Sequence, residues 1–136
     1  MVSGNEVAQK ILTMKLLEGK YGVCRLNESP SFPEWANNGD FFSITRTPDE
    51  LSIVCLQDNI PGEVKCERDW RILKVDGPLD FSLVGILASI STILAKAGIS
   101  IFAVSTFDTD YILVKNKDID SAVQALGDEG YEVKTS

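Results

Sequence analysis

Between residues 82 and 97 the apolar positions fall at Leu83, Ile86, Leu87, Ile90, Ile93, Leu94 and Ala97. Gaps of three and four predict a helix with one buried face. Asp80 stands at a candidate N-cap and Gly98 at the C-terminal stop. Ahead of this helix, Trp70-Arg71-Ile72-Leu73-Lys74-Val75 reads as a strand closed by the turn signal Asp76-Gly77-Pro78. Beyond it, residues 99–105 are rich in β-branched and aromatic side chains, and Asp108-Thr109-Asp110 turns the chain into a second strand over 111–114. A second helix is predicted from about Asp118, with Ile119, Ala122, Val123 and Leu126 on one face and Gly127 and Gly130 ending it. Tyr131-Glu132-Val133 is a last short strand. The order β-α-β-β-α-β predicts an α+β fold, ferredoxin-like, with helices on one face of an antiparallel sheet.

The first half reads as a degenerate copy. Strand-like runs occur at 12–17 and 21–26, and Pro33-Glu34-Trp35-Ala36 is a helical turn or two at most. Two further runs, 41–45 and 51–56, flank the turn residues Arg46-Thr47-Pro48-Asp49-Glu50. Phe42, Ile44 and Thr45 fall where Phe102, Val104 and Ser105 fall in the later hairpin, which points to an internal repeat. Residues 57–69 replace the second helix with a polar connection holding Pro61 and Gly62. No long linker parts the halves. The chain therefore reads as one fused body of two subdomains, 1–68 and 69–136.

Opposite the apolar stripe of the long helix stand Ser82, Gly85, Ala88, Ser89, Thr92 and Ala95, and Lys96 is its sole charge. A solvent-facing helix surface normally carries Lys and Glu. Small uncharged residues there point to a second helix layer or another chain.

The chain has 136 residues and a formal net charge of -7, which repels phosphate backbones and argues against nucleic acid. Residues 1–11 hold no apolar signal-peptide core, and the apolar stretch 81–104 is too interrupted to span a membrane. Cys24, Cys55 and Cys66 have neither CxxC nor metal-ligand spacing and read as reduced thiols, so the expected home is cytoplasmic. There is no histidine, which removes the commonest general base and transition-metal ligand. No enzyme, cofactor or metal is expected. Asp108 and Asp110 lack a third acidic neighbour and read as a hairpin turn.

Three segments together resemble a known family: residues 77–87, 95–101, and Ser105-Thr106-Phe107-Asp108-Thr109-Asp110-Tyr111-Ile112-Leu113-Val114. They are similar to the tandem ACT-domain family, which includes small prokaryotic proteins and the cytosolic arginine sensors of the TOR pathway. Residues 41–50 resemble the first-repeat hairpin of the same family. The resemblance implies two ACT units and a non-catalytic regulatory module that binds a small molecule, an amino acid, at the interface between units. It further implies that Val84, Gly85 and Ile86 form the turn entering a helix that closes over the ligand. Ser100 and Ile101 would meet the ligand's α-carboxylate, and Asp110 would accept hydrogen bonds from its cationic end. Leu83 stands where the arginine sensors carry an acidic residue, so arginine specificity is not implied. Four units per sensor chain against two here, together with the charge-free helix face, imply a homodimer. The competing expectation is an interaction and dimerisation domain without a ligand.

Overall fold

The computed structural model describes residues 12–27, 32–77 and 85–135. Its axis is β5 (Cys66–Val75), the longest strand. Before it come β1 (Thr13–Leu16), β2 (Tyr21–Leu26), β3 (Ser43–Arg46) and β4 (Leu51–Leu56). After it come α1 (Ile86–Lys96), β6 (Ile101–Ser105), β7 (Asp110–Lys115), α2 (Ile119–Asp128) and β8 (Glu132–Thr135). The fold is α+β, with the eight strands of the described residues in one antiparallel-rich sheet.

β5 is long enough to serve both halves. Its first part pairs with β2, from Cys24 opposite Cys66 to Tyr21 opposite Trp70, and its last part with β1, from Leu16 opposite Leu73 to Met14 opposite Val75. β7 takes the other edge, Trp70 opposite Lys115 through Lys74 opposite Tyr111. In the second half the strand order is therefore β6-β7-β5-β1-β8. A split βαβ unit alone would set β8 directly beside β5. Here β1, from the first half, occupies that slot, parallel to β8 and antiparallel to β5. Residue 68, where sequence divides the halves, lies within β5.

The sheet has two buried faces. On one, α1 and α2 pack Ile90, Leu94, Ala122 and Leu126 against Met14, Leu73, Val75, Ile112 and Val114. On the other, Tyr21, Phe41, Val54, Trp70, Ile72 and Leu113 form a second core, with Phe41 and Tyr111 rings 4.6 Å apart. That core joins the two hairpins, β3–β4 and β6–β7. A third cluster lies beneath the first half, where Cys24, Ala36, Leu51, Ile53, Cys55 and Ile60 pack together. In place of helices it has 3-10 turns at Glu34–Ala36 and Gln57–Asn59. Each buried Leu, Ile or Val contributes about 1.5–3 kcal/mol through removal from water.

Both helices end the same way. Ile99 N donates to Leu94 O at 2.9 Å and Gly98 N to Ala95 O at 3.0 Å, with Gly98 at φ +76°. Tyr131 N donates to Leu126 O and Gly130 N to Gly127 O, with Gly130 at φ +93°. These are Schellman closures, in which a left-handed glycine lets the last carbonyls find donors. Gly127 thus lies inside the last turn of α2, and only Gly130 stops it.

Several sequence expectations need correction. Residues 66–69 are already strand, although 57–69 reads as a connection; Cys66 sits opposite Cys24 and Trp70 opposite Tyr21, with an extra residue in β5 shifting the register between them. β3 begins at Ser43, leaving Phe41 and Phe42 before it. Ile44 packs on the third cluster whereas Val104 packs on the second, so the two hairpins match as elements but not in the proposed register. A slip of one residue sends every side chain to the opposite face. Asp80, the expected cap of the long helix, lies outside the described residues; the residue at the cap position is Gly85, whose carbonyl accepts from Ser89 N at 2.8 Å.

Candidate functional site

β5 runs up to Val75, α1 runs back down, and only four residues separate Lys96 from β6. Eleven helical residues advance roughly 16 Å. Gly85 and Ile86 therefore lie at the end of the second half where β5 stops, and Ser100 and Ile101 lie at the opposite end. In the hairpin Asp110 pairs with Ser105 and Ile101 with Val114. Four strand steps, roughly 13 Å, separate Ile101 from Ser105. Within one chain, then, Gly85, Ile86 and Asp110 share one end while Ser100 and Ile101 sit at the other. Val84 lies outside the described residues.

At the first end the turn 106–109 is held tightly. Thr106 Oγ1 accepts from Thr109 N at 3.3 Å and donates to Thr109 O at 3.0 Å. Thr109 Oγ1 donates to Val75 O at 2.6 Å. Beside this turn Ser105 Oγ donates to Asp110 Oδ1 at 2.5 Å, fixing a half-buried carboxylate. Gly85 has φ +79°, and a Cβ built there meets no described residue within 4 Å. Its conformation favours glycine. At the other end Ser100 is exposed and Ile101 is half-buried against the helix-side core.

Two clefts border these residues. One, of about 790 Å³, runs between α1 and the end of α2, lined by Gly85, Ala88, Ser89, Thr92, Lys96 and Tyr131 among others. Ser89 Oγ and Tyr131 Oη are hydrogen-bonded across it at 2.8 Å. Much of the small uncharged face of α1 thus looks across an open groove toward α2. The other cleft, of about 240 Å³, lies at the seam of the two halves, between Ser43, Thr45, Ser52 and Val54 on one side and residues 102–105 on the other. Neither cleft is lined by Ser100 or Asp110. The seam hydroxyls were missed in the sequence; their signal is the alternation of Ser43 and Thr45 with Ile44 and of Ser52 with Leu51 and Ile53.

β6 pairs with β7 alone, so its outer edge is unpaired among the described residues. At 100° per residue, Ser89, Thr92 and Lys96 turn toward α2, which leaves Leu87, Ser91 and Ala95 on the opposite flank. That flank carries no charge. No helix among the described residues is long and apolar enough to cross a membrane.

An ACT-domain family model matches residues 65–128, and a model of an N-terminal domain matches residues 19–63. The human cytosolic arginine sensor for mTORC1 subunit 1 is 41% identical over 94 residues, covering 63% of this chain and 29% of the sensor. Its rat counterpart is 36% identical over 107 residues, covering 73% and 30%. The chain spans about 30% of the length of these relatives. Among solved structures, a protein of Agrobacterium tumefaciens has a TM-score of 0.87 and 43% identity, with 93% of this chain and 94% of that one aligned. The regulatory subunit of aspartate kinase from Thermus flavus shares the fold at a TM-score of 0.61 and 12% identity, over 88% of this chain and 99% of that one. With an ACT-domain match across its second half and homology to the sensors over most of its length, the chain belongs to the ACT-domain family.

Proposed function

We propose that the chain is a non-catalytic, cytoplasmic regulatory module that binds an amino acid as a homodimer. The ligand sits where β6 of one copy meets the turn entering α1 of the other. The observation that carries this reading is the unpaired β6 edge beside a charge-free helix flank. An exposed edge strand is a template for pairing. Antiparallel pairing of β6 with its own copy, centred on Ala103, would continue the sheet and align the flanks of the two α1 helices. It would also bring Ser100 and Ile101 of one copy to Gly85, Ile86 and Asp110 of the other, residues that one chain keeps apart. Val84 is proposed to belong to the same turn.

The chemistry suits a zwitterion. Backbone N–H groups at the start of α1 favour a carboxylate. The Asp110 carboxylate, held by Ser105, suits an ammonium group, and charge-assisted hydrogen bonds are the stronger ones. Sequence relatives named as cytosolic arginine sensors support an amino-acid ligand and a cytosolic setting. Three free cysteines accord with a reducing compartment. The absence of histidine supports binding without catalysis, and the net charge of -7 supports a small-molecule partner over nucleic acid.

A second reading, dimerisation without a ligand, is favoured by the fact that neither cleft is lined by Ser100 or Asp110. A thermal-shift screen of the twenty amino acids separates the two. A ligand at 100 times its Kd adds about 2.7 kcal/mol of stability. A saturable shift supports sensing; a flat response across the set supports dimerisation alone.

A further inference from the structure

Cys24 and Cys66 face each other across β2 and β5 as register partners, with their sulfurs 3.4 Å apart. Opposed residues of an antiparallel pair have Cα atoms about 4.5–5.5 Å apart, within the span of about 4.4–6.8 Å that a disulfide bridges. The room for the second sulfur comes from Gly22, where a Cβ would lie 2.6 Å from Cys66 Sγ. Cys24 is buried and Cys66 is partly exposed, so Cys66 is the more accessible residue of the two. Cys55, the third free thiol, is buried in the same cluster as Cys24. Among the described residues no group of three or more His, Cys, Asp or Glu could hold a metal ion, which leaves sulfur–sulfur chemistry to this cluster.

We propose that Cys24 and Cys66 form a reversible disulfide, oxidised by a small-molecule disulfide, that staples β2 of the first half to the shared strand β5. The Cys66 thiol first loses its proton to solvent. Its thiolate attacks one sulfur of the small disulfide, forms a mixed disulfide and releases one small thiolate. Cys24 then loses its proton and attacks the Cys66 sulfur; the Cys24–Cys66 bond forms and the second small thiolate leaves. Two protein thiols are oxidised by two electrons, and one small disulfide is reduced to two thiols.

Burial, followed by hydrogen bonding with Cys24 in which the Cys66 proton is engaged, pushes the Cys66 thiol up to about 12. Thiolate is therefore scarce at neutral pH, and the reaction is slow there and quickens about tenfold per pH unit. The bond closes a loop between residues 42 apart, which restricts the unfolded chain. It also fixes the strand pairing through which the first half is joined to β5.

The test is incubation of the folded chain with oxidised glutathione at pH 7, 8 and 9, followed by non-reducing peptide mapping and thermal melting. The expected result is a Cys24–Cys66 linked peptide, two hydrogens lighter than its parts, formed faster by about tenfold per pH unit. Cys55 stays open to alkylation after denaturation. Tm rises by several degrees and falls back with dithiothreitol. Cys66→Ser should abolish the link and the Tm rise, whereas Cys55→Ser should keep both. A link through Cys55, a lasting mixed disulfide at Cys66 with Cys24 still alkylatable, or no reaction at pH 9 would each overturn the proposal. Should Cys66→Ser fail to fold, the wild-type map decides alone.

Discussion

Thr109 Oγ1 donates a 2.6 Å hydrogen bond to the carbonyl of Val75, 34 residues away in sequence. The bond ties the β6–β7 turn to the end of β5, where the chain departs toward α1. Thr109 is only 4% exposed, so neither group can turn to water instead.

Thr109→Val keeps the shape and removes the donor, leaving a buried carbonyl unpaired. Urea unfolding should show a loss of about 1–3 kcal/mol with an unchanged m value. Thr109→Ser should retain most of the stability. An unchanged midpoint for Thr109→Val would mean that the bond contributes nothing.

Gly39 and Gly85 make a controlled pair. Both have left-handed backbones, at φ +76° and +79°, and a side chain at either incurs roughly 1–2 kcal/mol of strain. At Gly39 a Cβ would also collide with Leu56 Cδ1, while at Gly85 it meets no described residue within 4 Å. Gly39→Ala should therefore cost about 1–3 kcal/mol more than Gly85→Ala, because crowding adds to the backbone strain. Equal losses in denaturant melts would contradict the crowding.

Stability should fall on the alkaline side. Burial and then the Asp40 charge raise Tyr21, and burial raises Cys66. Hydrogen bonding to Cys55 and then burial raise Cys24; the same bond lowers Cys55, which acts in the opposite sense. A group raised in the folded state binds protons there after the unfolded chain has lost them. Its stabilisation is complete below the unfolded value and is lost as pH rises. For the thiols that loss begins near pH 8.5, and for Tyr21 near pH 10. Melts from pH 7 to 11 under reducing conditions should decline, and Tyr21→Phe should flatten the part above pH 10. A wild-type curve flat to pH 11 would refute the assignment.

Asp110→Ala removes a carboxylate that, among the described residues, accepts a hydrogen bond from the Ser105 hydroxyl. Folding should change by about 1 kcal/mol or less, since the site is half-exposed. The amino-acid thermal shift should vanish. Retained response with unchanged affinity would move the ligand elsewhere.

Much of the fold was legible because each element carries its own period. The spacing of Ile86, Ile90 and Leu94 marks one helix face, and Gly98 marks its end. The place of β1 was not legible. Thr13-Met14-Lys15-Leu16 alternates like any short strand, and nothing local indicates that Met14 will pair with both Val75 and Val133. Long-range pairing is decided by which slot in the sheet leaves an apolar face open to the helices, and Met14 fills that slot completely buried. The separation of Ile101 from Asp110 could have been read from the turn 106–109, which forces Asp110 opposite Ser105. The family resemblance grouped residues that one chain holds apart; pairing between copies is what would join them.

The shared site is tested most directly by mixing two variants that each lack one half of it. Asp110→Ala removes the ammonium partner from one side, and Ser100→Asp sets a like charge against the ligand's carboxylate on the other. Using the amino acid that gives the largest shift in the wild type, calorimetry should find no binding to either variant alone. Heterodimers formed by mixing them should regain one of their two sites, because that site draws Asp110 and Ser100 from unmutated copies. If the mixture binds no more than its parts, the two residues do not meet across a dimer.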